Sequence, residues 1–407
     1  MRSKELSELN IRLRSLAIFR ALLEDPVITA LCGYLDSLEG DSTAEAVSRY
    51  AGFVACLYGT GKRTLAGYLQ SIVTNDENAY IRMIGQGAEP WPEMETDVRS
   101  ELDILQAVAD LTPESLRQGL PWDGYLPGFA VKQLNLPESY RERCANIHRL
   151  GYGMYAKHIM FYVGEDNRIV PVHNPDQIRL SSLIDYKREQ QIILDNTLAL
   201  LSGKPAANIL LTGDAGTGKS STVKAVVNEL HHKGLRILEV RKEQLHAIPA
   251  ILDELNGNPL KFILFIDDLS FQKDDDNFSA LKAILEGSVS AKSKNVVIYA
   301  TSNRRHLIRE TWNDRTDMEH HGDIHRSDTV EEKLSLASRF GVTINYNAPT
   351  PKEYRSIVQF LAQRQGIDMD EETLLAMANT WEVRHGGFSG RVAQQFIHYL
   401  EGLETES

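Results

Sequence analysis

The octapeptide GDAGTGKS at 213–220 sets glycines, a lysine and a hydroxyl at the spacing G-x-x-x-x-G-K-[ST], a combination suited to holding a polyphosphate. Such a turn works when a buried strand feeds it and a helix follows. Its backbone N–H groups then converge on phosphate oxygens, with the partial positive charge of the helix behind them. Both flanks are present: the apolar run Ile209, Leu210, Leu211 precedes the turn, and Val223, Val226, Val227 and Leu230 share one face of a helix that Gly234 closes. The candidate phosphate-binding residues are therefore Gly213, Asp214, Ala215, Gly216, Thr217, Gly218, Lys219, Ser220 and Ser221. Among them the N–H groups from Ala215 to Lys219 line the oxyanions, Lys219 reaches the β- and γ-phosphates, and Ser220 places its hydroxyl on Mg²⁺. Further along, FILFIDDLSF ends an apolar strand in two carboxylates. At the carboxyl edge of an open sheet Asp267 is placed to hold the Mg²⁺ and Asp268 to orient the attacking water.

A second glycine turn, LYGTGKRT at 57–64, asks whether the chain holds two nucleotides. Its context differs. Val47, Tyr50, Ala51, Val54 and Leu57 recur at helical steps before it, and TLAGYLQSIV reads as another helix after it. Cys56 and Arg63 stand where the motif requires Gly and Ser or Thr. Gly59 and Gly61 are read as helix-ending residues, so one nucleotide per chain is expected.

The elements that must carry the acidic and glycine motifs follow from periodicity. RILEV (236–240), FILFI (262–266), NVVIYA (295–300) and VTINY (342–346) alternate with longer polar-periodic stretches, the pattern of a parallel sheet covered by helices. A final helical region opens at Thr350, Pro351 and Glu353, whose order is that of a capping box. Residues 1–158 read as mostly helical, with breaks around GAEPWPEME and LPWDGYLPG, and IMFYVGEDNRIVPVHNPDQI reads as a hairpin. The formal charge of −12 is spread over both halves, so neither is a polybasic module and nucleic acid is not the favoured partner. Three widely spaced cysteines fit a reducing compartment. With no signal-peptide run and no long apolar window, the protein is expected to be cytoplasmic and to lack a membrane span.

The order of these motifs resembles that of the AAA+ ATPases. ATSN after the fourth strand places Asn303 where the family has its sensor 1, LASRFG resembles the box that carries the arginine finger, here Arg339, and GGFSGR resembles sensor 2, here Arg391. LSSLIDYKREQQ at 180–191 resembles the segment that contacts adenine, with Ile184 and Tyr186 as candidates. FIDDLSF followed by SRFG is similar to the bacterial replication-initiator and helicase-loader branch, in which Asp replaces the Glu usual after the Walker B aspartate. Over about residues 170–400, the runs AANILLTGDAGTGKS, KAVVNEL, IDDLSF, ILEGSV, YATSNRRHL, EEKLSLASRFG and SGRVAQQF resemble a bacterial AAA+ family known only as a domain of unknown function. The chain departs from it at Ile266, where the family has Cys, and at Ser338, where it has Asp.

The resemblance implies an α/β P-loop NTPase fold: a parallel five-stranded sheet, a C-terminal helical lid and a mostly helical N-terminal domain. The divisions are 1–158 for the N-terminal domain, 159–178 for the hairpin and linker, 179–348 for the nucleotide-binding domain and 349–407 for the lid. It implies an ATPase that uses ATP and Mg²⁺, with Lys219, Asp267, Asp268, Asn303, Arg339 and Arg391 as its catalytic set. It also implies a homo-oligomer, a ring or spiral such as a hexamer, that moves an unidentified protein partner. An ATP-gated scaffold with slow hydrolysis and a DNA-associated loader are the alternatives. DMEHHGDIHRSD gathers His320, His321 and His325 at a spacing open to metal, but reads as a charged loop. Arg304 and Arg305 in NRRH suit a subunit interface better than nucleic-acid phosphate.

Overall fold

The computed structural model describes residues 3–271, 276–286, 294–303 and 336–404. They divide into two compact units: Met1–Lys157 with Gly257–Pro259, and His158–Asn256 with Leu260–Ser407. Arg304, Arg305, His320, His321 and His325 lie outside the described residues.

The first unit is helical from Ser3–Arg14 to Gly153–Lys157. Its helices start where a short polar side chain can take an orphan N–H: Asp25 accepts from Val27 and Ile28, Ser42 from Glu45, Asn78 from Ile81, and Asn135 from Glu138. The turn LYGTGKRT joins two of them. The helix Thr43–Gly59 ends at Gly59, the first glycine of the turn, Gly61 takes a positive φ of 71°, and Thr64 caps Leu65–Thr74 by accepting from the Gly67 N–H. A helix, not a strand, leads into this turn, and the N–H groups of Thr60, Gly61 and Lys62 donate to the Leu57 carbonyl, the Tyr58 carbonyl and the Thr60 hydroxyl.

Glu101 organises the same unit from inside. Buried on the helix Pro92–Ala109, its carboxylate accepts the N–H groups of Ala17 at 2.7 Å, Ile18 at 3.1 Å and Phe19 at 3.0 Å. Removing it leaves the buried Phe19 N–H without a partner, at a cost of about 1–3 kcal/mol, while the N–H groups of exposed Ala17 and half-buried Ile18 turn to water. Glu101→Ala should therefore lower stability by about 1–3 kcal/mol, read as a lower urea midpoint, with Glu101→Gln intermediate because an amide keeps one acceptor. A midpoint within error of wild type for Glu101→Ala would remove this carboxylate from the folding of the unit.

The second unit is built on one sheet. Its strands are β1 (Met160–Val163), β2 (Ile169–Pro171), β3 (Ile209–Gly213), β4 (Leu235–Glu239), β5 (Lys261–Ile266), β6 (Val296–Ser302) and β7 (Val342–Tyr346). They lie in the order β2-β1-β4-β5-β6-β3-β7, parallel throughout except for the antiparallel pair β1/β2. The expected five strands are thus seven. The hairpin at the start of the unit supplies the two extra ones, because β1 pairs along β4, Met160 opposite Ile237, and satisfies an edge that would otherwise present unpaired N–H and C=O groups.

Seven helices of this unit matter below: α1 (Lys187–Leu201), α2 (Lys219–Leu230), α3 (Ile248–Leu255), α4 (Asp276–Glu286), α5 (Pro351–Gln365), α6 (Glu371–His385) and α7 (Gly390–Glu404). Val223, Val226, Val227 and Leu230 of α2 pack with Ile209 and Leu211 of β3 in one core, so the strand before the glycine turn and the helix after it are fixed by the same apolar contacts. Burial of each such side chain is worth about 1.5–3 kcal/mol, which makes the β3-turn-α2 geometry rigid. The lid helices α5, α6 and α7 close their own core around Tyr354, Val358, Phe396 and Ile397. The α5 start is a complete capping box: Thr350 accepts from the Glu353 N–H, and the Glu353 carboxylate accepts from the Thr350 N–H. The second unit is thus an α/β fold: a mostly parallel sheet with a glycine turn at the end of an inner strand and a helical C-terminal part. Among the described residues no helix is long and apolar enough to cross a membrane, and Cys32, Cys56 and Cys144 form no disulfide.

Candidate nucleotide-binding site

The turn from Gly213 to Gly218 exists because its glycines accept what other residues refuse. Gly213 has φ 129°, and a Cβ there would stand 1.9 Å from the Tyr346 carbonyl oxygen of β7. Gly216 has φ 77°, and its carbonyl accepts the Arg391 N–H at 3.2 Å, which ties the turn to the first residues of α7. Asp214 is fixed from the opposite side, its carboxylate accepting the Ala348 N–H at 2.8 Å. The turn is therefore held between the exit of β7 and the lid.

Lys219 opens α2 and is buried. Its ammonium donates to the carbonyls of Gly213 at 3.0 Å and Asp214 at 2.7 Å and to the Asn303 side-chain oxygen at 3.0 Å. Burial pulls its pKa down, and the carboxylates of Asp214, Asp267 and Asp268 oppose that pull.

The acid pair is placed by the neighbouring strand. The Ser220 hydroxyl donates to Asp267 Oδ1 at 2.6 Å, and the Thr301 hydroxyl donates to the same oxygen. Thr301 Oγ1 also accepts the Asp268 N–H at 3.0 Å, while its carbonyl accepts the Leu269 N–H at 2.7 Å. Asp268 thereby sits at φ 51°, a left-handed conformation that Asp tolerates better than most side chains. Its carboxylate accepts the Asn303 amide N–H at 2.7 Å. Asn303 thus spans Lys219 and Asp268, and Thr301 fixes both acids at once. Thr301 escaped the motif reading, yet strand alternation puts it on the same side as Asn303, two residues on.

A cavity of about 710 Å³ opens beside these groups. Gly216, Thr217, Gly218, Lys219, Ser220 and Ser221 line it together with Asp267, Asp268, Thr301, Asn303 and Arg391. Ile178, Leu183, Ile184, Tyr186, Pro349, Ile357 and Leu361 also line it, together with the polar side chains of Ser182, Asp185, Gln190 and Gln395. Tyr186 adopts φ 62°, its ring lies 4.7 Å from that of Tyr346, and its hydroxyl donates to the Asn347 carbonyl. Burial, followed by the Asp185 and Glu353 charges, raises its phenol pKa. Gln394 and His398 also line the cavity; they recur on the α7 face that starts at Arg391.

The structure brings most of the sequence candidates to this one cavity. Gly213, Asp214 and Ala215 shape the turn but do not line it, and Arg339 does not line it either. The Arg339 guanidinium pairs instead with the Glu286 carboxylate at the end of α4. Oxygen donors alone, the Ser220 hydroxyl and the Asp267 carboxylate, stand where a hard divalent cation would bind, and this donor set suits Mg²⁺. Among the described residues no group of three or more His, Cys, Asp or Glu side chains is arranged for a metal.

Among solved structures, that of the Thermotoga maritima RuvB Holliday junction branch migration motor is similar at 17% identity and a TM-score of 0.36, over 56% of this chain and 64% of that one. The C. elegans PCH-2 structure is similar at 19% identity and a TM-score of 0.37, over 53% of this chain and 63% of that one. The chain therefore spans less than two thirds of the length of these neighbours. No curated protein matches. Residues 156–404, the sheet, turn, acid pair and lid just described, match the family described as Protein of unknown function (DUF815), and this chain belongs to that family.

Proposed function

We propose that the chain is a Mg²⁺-dependent ATPase that works as a homo-oligomer and couples hydrolysis to movement of a partner protein. The observation that carries this reading is the continuous set of bonds Ser220–Asp267–Thr301–Asp268–Asn303–Lys219 along one wall of a cavity of nucleotide size. The turn N–H groups and the Lys219 ammonium bind the phosphates, the ammonium exchanging its carbonyl acceptors for phosphate oxygens. Ser220 and Asp267 would hold a magnesium ion, which when bound would supply positive charge to neutralise the phosphates. Asp268, held by its N–H and by Asn303, orients the attacking water and draws on its proton. Arg391, whose N–H is tied to Gly216, brings a guanidinium from the lid to the same phosphates.

Asp268→Asn tests the reading. The amide keeps the shape and loses the charge, so nucleotide affinity should stay within about threefold while steady-state turnover falls by about 10²-fold or more. Asp267→Asn should instead weaken Mg²⁺-dependent binding. Turnover of Asp268→Asn equal to wild type would take that carboxylate out of the mechanism.

A further inference from the structure

Single exposed apolar side chains are ordinary, but a cluster of large ones held in place marks a contact surface. One such cluster lies in the helical unit, where the turn 57–64 runs beside the loop 120–132. The Ala130 N–H donates to the Arg63 carbonyl at 3.0 Å, the Tyr58 hydroxyl donates to the Gly128 carbonyl, and Thr64 and Ala130 form a parallel bridge. Two more side chains pin the loop: the Tyr50 hydroxyl donates to the Pro127 carbonyl at 2.9 Å, and the Arg117 guanidinium to the Leu126 carbonyl at 2.5 Å. Trp122 packs so closely on Gly124 that a Cβ there would collide with the indole. Yet the aromatic side chains on this fixed backbone face solvent, Tyr125 at 86%, Tyr58 at 56% and Trp122 at 48% exposure. Lys62, Arg63 and Lys132 are exposed on the same segments.

A second surface of the unit has the opposite charge. Glu89, Glu93, Glu95 and Asp97 are exposed around Trp91, itself 64% exposed, where the helix Pro92–Ala109 begins. Asp123 and Glu114 flank the loop and Arg99 follows the acidic turn, which leaves each surface with its excess. Among the described residues none of Lys62, Arg63, Lys132, Glu89, Glu93, Glu95 and Asp97 is engaged in an ion pair. The two surfaces belong to opposite ends of one helix. Near its last turn the Gln106 amide donates to the Leu134 carbonyl at 2.9 Å and accepts the Leu136 N–H at 2.7 Å, which fixes the chain leaving the loop. At about 1.5 Å per residue, Pro92 stands about 20 Å from that anchor.

Surfaces of opposite sign held that far apart do not meet within one copy; they match between two. We propose that the helical unit docks head to tail on a second copy of this chain: Tyr58, Trp122 and Tyr125, flanked by Lys62, Arg63 and Lys132, receive the acidic turn around Trp91 of the next copy. Aromatic and arginine side chains carry most of the energy of protein contacts, and opposite charge fixes which surfaces pair. Because the two surfaces differ, the contact is heterologous. Every pair keeps one free basic end and one free acidic end, so assembly extends or closes into a ring instead of stopping at a two-fold dimer. A single nucleic-acid strand would suit the basic, aromatic loop, but it would leave the acidic turn unused and meet a chain of net charge −12. The proposal rests on the homo-oligomer of the reading above and gives it a contact that needs no nucleotide.

Sedimentation velocity on the full chain without nucleotide tests this. Wild type should self-associate at about 50 mM salt and about tenfold or more weakly at about 500 mM, where exposed charges are screened. Lys62→Glu combined with Arg63→Glu, and separately Glu93→Lys combined with Glu95→Lys, should each weaken association about tenfold or more by setting like charge against like. Mixed, the two double variants should associate again, because the reversed loop of one meets the reversed acidic turn of the other and their native ends also pair. Trp122→Ala combined with Tyr125→Ala should weaken association to a similar degree with the urea midpoint unchanged, since both side chains are exposed. No recovery on mixing, association indifferent to the Glu93 and Glu95 changes, or a monomeric wild type whose loop instead binds a labelled single-stranded oligothymidine would overturn the proposal. Assembly that appears only with ATP and ignores all of these variants would overturn this contact and leave the ATPase reading in place. A chain that is monomeric with and without ATP would overturn the homo-oligomer as well.

Discussion

Lys219→Ala should lose ATP binding by about 10²-fold or more, whereas Lys62→Ala should leave it unchanged. The two lysines share the tetrapeptide GTGK and differ in what flanks it, so the contrast isolates what the flanking strand and helix add. Lys219 is buried behind a turn whose strand and helix share one core, and three acceptors converge on its ammonium. Charge-assisted hydrogen bonds are worth about 1.5–3 kcal/mol each, and alanine removes those that a bound nucleotide would take over. Lys62 is exposed in a joint between two helices, with nothing behind it to focus charge. Titration calorimetry gives the answer in one number per variant. A stoichiometry of two nucleotides per chain, or a loss of affinity on changing Lys62, would mean that the joint at 57–64 binds phosphate after all.

That contrast also marks how far the sequence could be read. The β3-turn-α2 unit is local: strand, glycines, lysine and apolar helix face follow one another along the chain, and their packing is implied by their order. The hairpin is local too, but its pairing is not. Which strand receives β1 depends on the free edge of β4, formed by residues some way along the chain, so the two hairpin strands were legible as a hairpin but not as members of the sheet. Thr301 could have been found from the alternation that carries Asn303. Gln190, which also lines the cavity, could not, because tertiary packing leaves no trace in residue spacing. Likewise Gln394 and His398 reach the cavity only because α7 crosses the glycine turn, a tertiary contact fixed by the Arg391–Gly216 hydrogen bond.

Arg339→Ala should bind ATP with wild-type affinity and lose about 10³-fold or more in hydrolysis. Arg339 lies just ahead of β7, outside the cavity of its own chain, with its guanidinium on Glu286 at the end of α4. If it serves a phosphate, that phosphate belongs to another copy, and the guanidinium must exchange its pairing with Glu286 for the phosphate oxygens. A residue delivered in this direction demands head-to-tail contacts, which build rings or spirals rather than two-fold dimers. The decisive measurement is a mixture. Arg339→Ala offers an intact glycine turn without a finger, and Lys219→Ala offers an intact finger without a working turn. Each should be inactive alone. Co-assembled, they should regain activity wherever a whole Arg339 faces a whole Lys219. If the two variants demonstrably co-assemble and no activity returns, or if the wild-type monomer hydrolyses ATP at the full rate, the Glu286 pair is the whole purpose of Arg339 and the arginine only holds α4 against the segment that leads into β7.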